Sequence, residues 1–285
     1  MFQKIARDDD IFQSPLFLKD EIAFSIMTSI LGNAKKYPSP RVYSNSLDCA
    51  IVNSDPQHQV VVWTADSFRK YDKLYDFLRD KFKENKPLRI MSKKTFYDYC
   101  VENHGSPQQN IQTLGVYSCQ ALKDVAYIGR PDQAKPEEIP QVAQMLADFG
   151  KETKEHPDAK VADYMEMAQE FVSDPTSLVW RNQNGDIVSI AVARTNEKHP
   201  RISRVYTKEK ERGHSYAKML VHYLTSQILK SGKTPMLFTD YSYKSSNLCY
   251  QAIGYELDCT IVNFYPPLHG KKEIEKMLVQ VQQTR

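Results

Sequence analysis

The run Lys208-Glu209-Lys210-Glu211-Arg212-Gly213-His214-Ser215-Tyr216-Ala217 constrains this chain more than any other stretch. It follows a short β-prone segment, Ile202 to Thr207. It leads into Lys218 to Lys230, where Ala217, Leu220, Val221, Leu224 and Ile228 recur at helical spacing. A strand that turns through a charged, glycine-containing loop into a helix implies an α/β frame. The first N–H groups of such a helix lack intrahelical partners and lie at the positive end of its dipole. That terminus favours a bound anion, a phosphate above all. Gly213 lets the backbone approach phosphate oxygens with no Cβ in the way, and Arg212 can add a charge-assisted contact.

A second segment follows at a fixed distance. Pro235 to Asp240 is β-prone, and Ser245-Ser246-Asn247-Leu248-Cys249-Tyr250-Gln251-Ala252-Ile253-Gly254-Tyr255 comes next. Arg212 to Ala217 resembles the R-G-x-G-x-A pyrophosphate loop of the GNAT superfamily of acetyl-CoA-dependent N-acetyltransferases, with Ser215 where that family usually has glycine. The later segment resembles the family's S-N-x-x-Y-x-x-x-G-Y/F closing motif. The resemblance covers roughly residues 125 to 267. It implies an α+β, mixed-sheet acyl-CoA N-acyltransferase fold with acetyl-CoA as cosubstrate.

The composition suits such a protein. The 285 residues are enough for two ordinary domains, and 41% hydrophobic with 26% charged residues suits a packed core. A net charge of +3 argues against a dedicated nucleic-acid surface. Cys49, Cys100, Cys119, Cys249 and Cys259 form no C-x-x-C pair, which fits reduced thiols in a cytoplasmic protein better than a disulfide framework or a zinc site. The first residues hold no apolar signal core and no apolar run has bilayer length, so neither export nor a membrane is expected.

Taken in order, residues 1–14 read as a polar lead-in and 15–36 as one helix ended by Tyr37-Pro38-Ser39-Pro40. Strands are expected at 41–43, 48–52 and 59–64, a helix from Ser67 to about Lys83, a strand at 88–91, a helix at 93–103 and a strand at 111–121. This order resembles a degenerate copy of the second half, although any α/β lobe alternates in this way. In it Thr64 runs almost directly into its helix, so the phosphate loop has no counterpart. The second half reads as a strand at 125–131, helices at 136–149 and 158–172, and a hairpin about Asn184-Gly185. The strand, loop and helix of the opening stretch follow, then the closing motif and a strand at 256–265. The expected division is therefore 1–124, a GNAT-like lobe without the loop; 125–270, the acetyltransferase domain; and 271–285, a helical tail.

The resemblance assigns roles residue by residue. Gly213, His214, Ser215, Tyr216 and Ala217 would present the pyrophosphate cradle, with Arg212 beside it. Ser215 either needs a positive φ, at about 1 kcal/mol, or sits in helical geometry with its hydroxyl near a phosphate; the second is favoured. Val205 and Thr207 would pair their backbones with the pantetheine amides. Tyr250 matches the tyrosine near the sulfur, and a phenol is a plausible acid towards a thiolate. Asn247 lies one turn earlier on the same face and would contact the cofactor or cap the helix. The family often has asparagine where Tyr243 stands. Asp240 would be a base or would cap its loop; His214 and His222 are expected away from the chemistry. The functional expectation is acetyl transfer from acetyl-CoA to an amine of a small-molecule or peptide acceptor, without a metal. Two alternatives remain: an acyl-CoA-binding regulator without turnover, and aminoacyl transfer from tRNA, against which the near-neutral charge argues.

Overall fold

A computed structural model describes the chain except residues 56–57, 85–87, 106–111, 154–156, 159, 195–197 and 267–285. The expected tail helix at 271–285 lies outside the described residues. The elements are β1 (Gln3–Lys4), α1 (Pro15–Lys19), α2 (Ser25–Gly32), β2 (Arg41–Ser44), β3 (Cys49–Asn53), β4 (Val60–Thr64), α3 (Tyr71–Lys81), β5 (Ile90–Lys93), α4 (Lys94–His104) and β6 (Gln112–Cys119). There follow β7 (Arg130–Asp132), α5 (Ile139–Glu152), α6 (Met165–Ser173), β8 (Ser177–Arg181), β9 (Ile187–Arg194), β10 (Arg201–Thr207), α7 (Tyr216–Lys230), β11 (Met236–Asp240), α8 (Lys244–Ile253) and β12 (Tyr255–Phe264). This is a mixed α+β fold.

The chain divides into two compact units. One holds Met1–Gly115, Asp240–Ser242 and the residues from Cys259 onward; the other holds Val116–Thr239 and Tyr243–Asp258. The division falls at residues 115–116, earlier than the sequence suggested, and the second half of β12 belongs to the first unit. Both β6 and β12 contribute residues to each unit, which a cut between two consecutive segments cannot represent.

In the first unit the strands run β1-β2-β3-β4-β5, then residues 259–264 of β12. β4 and β5 are parallel, with Val60 opposite Ile90, Val61 opposite Met91 and Val62 opposite Ser92. β4 is buried along its whole length and reads as a near-continuous apolar run, and β5 is buried at Ile90, Met91 and Ser92. Leu74, Tyr75 and Leu78 on α3 and Phe96 and Cys100 on α4 pack on one face with Val60, Val62, Ile90, Val262 and Phe264. The single helix expected at 15–36 is two short helices. Ser14 Oγ caps α1 at Phe17 N (3.2 Å), and the chain leaves the helix at Asp20, whose Oδ2 accepts the Trp63 indole N–H (2.9 Å). The lead-in is not merely polar, since Ile11 and Phe12 are buried.

In the second unit the order is β7-β8-β9-β10-β11, then the unit's parts of β6 and β12. One face packs on α7 and α8 through Met219, Leu220, Leu224, Tyr250 and Ile253. The other packs on α5 and α6 through Val142, Leu146, Ala168 and Phe171. The hairpin about Asn184-Gly185 forms as expected, whereas the strand expected at 125–131 is only Arg130–Asp132. Just before it, a Cβ on Gly129 would lie 2.0 Å from the Arg181 carbonyl oxygen, so the backbones touch there. All five cysteines are free thiols. Among the described residues no helix is long and apolar enough to cross a membrane.

Candidate functional site

The site is built where β10 stops behaving as a regular strand. β10 is antiparallel to β9, with Ser203 opposite Val192 and Tyr206 opposite Ile190. Arg204 and Val205 therefore share Ala191. This is a β-bulge, and Arg204 takes the extra residue's conformation at φ 51°. On its other edge β10 pairs with β11 in parallel only at Arg201–Met236 and Ile202–Leu237. Beyond that point the strands part, and the β11-facing backbone of Val205 and Thr207 gains no ladder partner from β11. Such a backbone edge can pair with an extended ligand. Thr207 is fixed from its side chain: its Oγ1 donates to Ser189 Oγ (3.0 Å), which donates to the Tyr206 carbonyl (2.8 Å).

The loop above the parting is held tightly. A 3-10 turn at Glu209–Glu211 brings the chain to Arg212, and Gly213 then takes φ 84°. A Cβ on Gly213 would meet nothing within 4 Å. The space beside it is open, and glycine is needed for the backbone angle alone. Ser215 has φ 61° and ψ 20° and is the residue preceding α7. This corrects the helical geometry favoured for it: Ser215 takes the left-handed conformation usual for glycine, and its side chain makes no cap bond to the helix. The first helical hydrogen bond runs from Met219 N to the Ser215 carbonyl, so the N–H groups of Tyr216, Ala217 and Lys218 are not used within the helix. They point out of the N-terminus beside Gly213.

Arg212 is not a free surface cation. Its Nη2 donates to Glu152 Oε1 at the end of α5 (2.5 Å), its Nε donates to the Thr207 carbonyl (3.2 Å), and its guanidinium lies 5.6 Å from the Tyr206 ring centre. The bond to Glu152 pushes the guanidinium pKa further up. His214 Nδ1 lies 3.2 Å from the Glu211 carbonyl, and its ring stacks on Tyr216, whose side chain is buried in the α7 core. His214 itself is exposed.

The closing motif forms α8. Asn247 and Tyr250 both face inward, and Asn247 Nδ2 donates to the Tyr243 carbonyl (3.0 Å), which ties it to the helix start. Tyr250 lies edge-on to Tyr255 at 6.1 Å, and burial pushes its phenol pKa well above the usual 10. At the C-terminus of α8, Gly254 has φ 119°, and a Cβ there would lie 2.2 Å from the Ala121 carbonyl oxygen. Asp240 ends β11, and its Oδ1 accepts from both Ser242 N (2.8 Å) and Ser242 Oγ (2.6 Å), the capping role. His222 points elsewhere on α7: its Nε2 lies 3.1 Å from the Lys123 carbonyl and its Nδ1 2.6 Å from the Tyr127 hydroxyl.

The sequence reading thus placed Val205, Thr207, Arg212, Gly213, His214, Ser215, Tyr216 and Ala217 on one continuous strand–loop–helix turn. It missed the bulge, because Arg204 carries no glycine to signal a positive φ. It also missed Glu152, 60 positions before the arginine it holds. Among the described residues no three His, Cys, Asp or Glu side chains converge as a metal ion would require.

The family model described as FR47-like protein matches residues 182–263, which contain the bulged strand, the loop and α8. Among solved structures, the chain is similar to a GCN5-related N-acetyltransferase from Sphaerobacter thermophilus (TM-score 0.61, 13% identity, 92% of this chain and 94% of that one). It is similar to a GNAT-family acetyltransferase from Colwellia psychrerythraea (TM-score 0.54, 13% identity, 93% and 98%). A tandem GNAT protein from the clavulanic acid biosynthesis pathway also matches along the chain (TM-score 0.51, 10% identity, 93% and 97%). At these identities the likeness is one of fold. No curated protein sequence matches the chain. Residues 182–263 therefore form the FR47-like segment of a chain that has the GNAT acyl-CoA N-acyltransferase fold.

Proposed function

We propose that this protein is an N-acetyltransferase that moves an acetyl group from acetyl-CoA directly to an amine. The observation that carries the reading is the parting of β10 from β11 immediately below an open helix N-terminus. An acyl-CoA needs both features: an unpaired strand edge for the pantetheine amides and convergent N–H donors for the diphosphate. Val205 and Thr207 supply the first. Gly213 to Ala217 supply the second, with open space beside Gly213. In the transfer, the nitrogen lone pair of the neutral amine attacks the thioester carbonyl carbon. The C–S bond breaks, the thiolate takes a proton, and the amine gives up one. Tyr250 is the proposed proton donor to sulfur and Asn247 a cofactor contact. Asp240 is the remaining carboxylate considered as a base. The acceptor is a small-molecule or peptide amine, and a cytoplasmic setting fits the thiols. The purified chain, given acetyl-CoA and a panel of amines, should release free thiol with at least one of them. Absence of coenzyme A binding by calorimetry would end this reading.

One observation favours a second reading, an acyl-CoA-binding regulator without turnover. Tyr250 is packed in the core with its pKa raised, and Asp240 is engaged by Ser242, so neither is poised to exchange protons freely. Tight binding of acetyl-CoA with no thiol release across the panel would select it.

A further inference from the structure

We propose that Glu152 is the positioning residue of the diphosphate loop, acting through Arg212. The inference rests on the loop's role in acyl-CoA binding and adds a residue from a different element. Three constraints meet on the Arg212 guanidinium: the Glu152 carboxylate at 2.5 Å, the Thr207 carbonyl at 3.2 Å and the Tyr206 ring at 5.6 Å. Two of these belong to the end of β10. Arg212 therefore closes the loop onto the strand that starts it, and Glu152 locks that closure to α5. Tyr206 is itself part of the α5–α6 core.

A lock is needed because the next residues are unfavourable. Gly213 and Ser215 both take positive φ within three positions, and Ser215 has no glycine freedom. Left to itself this segment would relax, and its N–H groups would no longer converge. Glu152 keeps them converged before a ligand arrives, which spares the ligand the entropy of ordering them. Glu152 and Thr207 each use one of the guanidinium N–H donors, and the others remain, so Arg212 can hold the loop and still face a phosphate. A carboxylate so near a diphosphate would otherwise weaken binding by repulsion. The proposal therefore commits on sign: removing Glu152 weakens coenzyme binding.

The test uses Glu152→Ala, Glu152→Gln and Arg212→Ala in the full chain, with calorimetry of coenzyme A and of pantetheine, which lacks the diphosphate. The expected result is a loss of about two- to fivefold in coenzyme A affinity for Glu152→Ala, the scale of a half-exposed ion pair. Pantetheine binding should be unchanged, and Glu152→Gln should lie between. Where turnover is measurable, KM for acetyl-CoA should rise at constant kcat. Glu152→Ala added to Arg212→Ala should cause no further loss. Amide hydrogen exchange at Arg212 and Met219, whose N–H groups bond the Glu209 and Ser215 carbonyls on either side of the loop, read without ligand, should quicken in Glu152→Ala. Equal or tighter coenzyme A binding in Glu152→Ala, equal losses for pantetheine, or unchanged exchange would overturn the proposal. If the wild-type chain ignores coenzyme A, the functional reading fails, while the exchange result still decides the role of Glu152.

Discussion

Ile202 and Tyr206, four residues apart on one strand, lie on opposite faces of the sheet. Ile202 packs with the α7 core and Tyr206 with the α5–α6 core. A strand of strict period two puts them on the same face. The extra residue at Arg204–Val205 changes the parity, and the same extra residue coincides with the loss of pairing to β11. Deleting Arg204 leaves Ile202, Val205 and Tyr206 on the faces they already occupy, with one residue opposite Ala191. The deletion should therefore fold, with an unchanged circular dichroism spectrum. Coenzyme A affinity should fall at least tenfold as the ladder to β11 closes, a loss calorimetry would detect.

The loop holds two left-handed residues of different cost. At Ser215 the penalty is about 1 kcal/mol, offset in a glycine variant by that residue's greater chain entropy. Ser215→Gly should be at least as stable as the parent, and Ser215→Val should lose about 2 kcal/mol, because a β-branched residue tolerates φ 61° poorly. Urea denaturation of the pair gives the comparison.

Gly213 and Gly254 separate backbone strain from steric contact. A Cβ at Gly213 meets nothing, so Gly213→Ala should cost only about 1 kcal/mol in stability. A Cβ at Gly254 lies 2.2 Å from the Ala121 carbonyl oxygen, where the chain approaches Lys123 N bonded to the Ile253 carbonyl (2.8 Å). Gly254→Ala should cost about 3 kcal/mol or more, since the obstacle is backbone and φ is positive. Unfolding free energies from urea denaturation within about 0.5 kcal/mol of each other would show the contact to be softer than this.

His222 should tie stability to pH. The Lys123 carbonyl can only accept, so Nε2 carries the proton and Nδ1 accepts from the Tyr127 hydroxyl. Burial holds the imidazole pKa below 6.5. The unfolded chain then binds a proton near pH 6.5 that the folded chain resists. Stability contributed by neutral His222 is present above pH 6.5 and is lost as the pH falls through and below that value. His222→Phe should flatten the stability curve between about pH 7 and 5 relative to the parent. Thermal midpoints across that range measure it; parallel curves would remove His222 as the cause.

What could be read in advance was local. The helix of Leu220, Leu224 and Ile228 and the hairpin at Asn184-Gly185 are fixed by spacing and turn chemistry within a dozen residues. The helix expected at 15–36 failed for a non-local reason. Its apolar residues serve two short helices, and the break at Asp20 is bonded to Trp63, 43 positions on.

The sequence by itself determined the order of elements from β2 onward and the position of a strand–loop–helix turn with Gly213 at its centre. It did so because periodicity, glycine and proline act on neighbouring residues. Only the tertiary structure decided that Ser215 stands in a glycine conformation, that Arg204 bulges, that β6 and β12 contribute to both units, and that Glu152 holds Arg212. The bulge, the shared strands and the Glu152–Arg212 pair each depend on pairing between residues far apart in the chain, which outweighs local preference wherever burial and hydrogen bonding exceed about 1 kcal/mol of backbone strain.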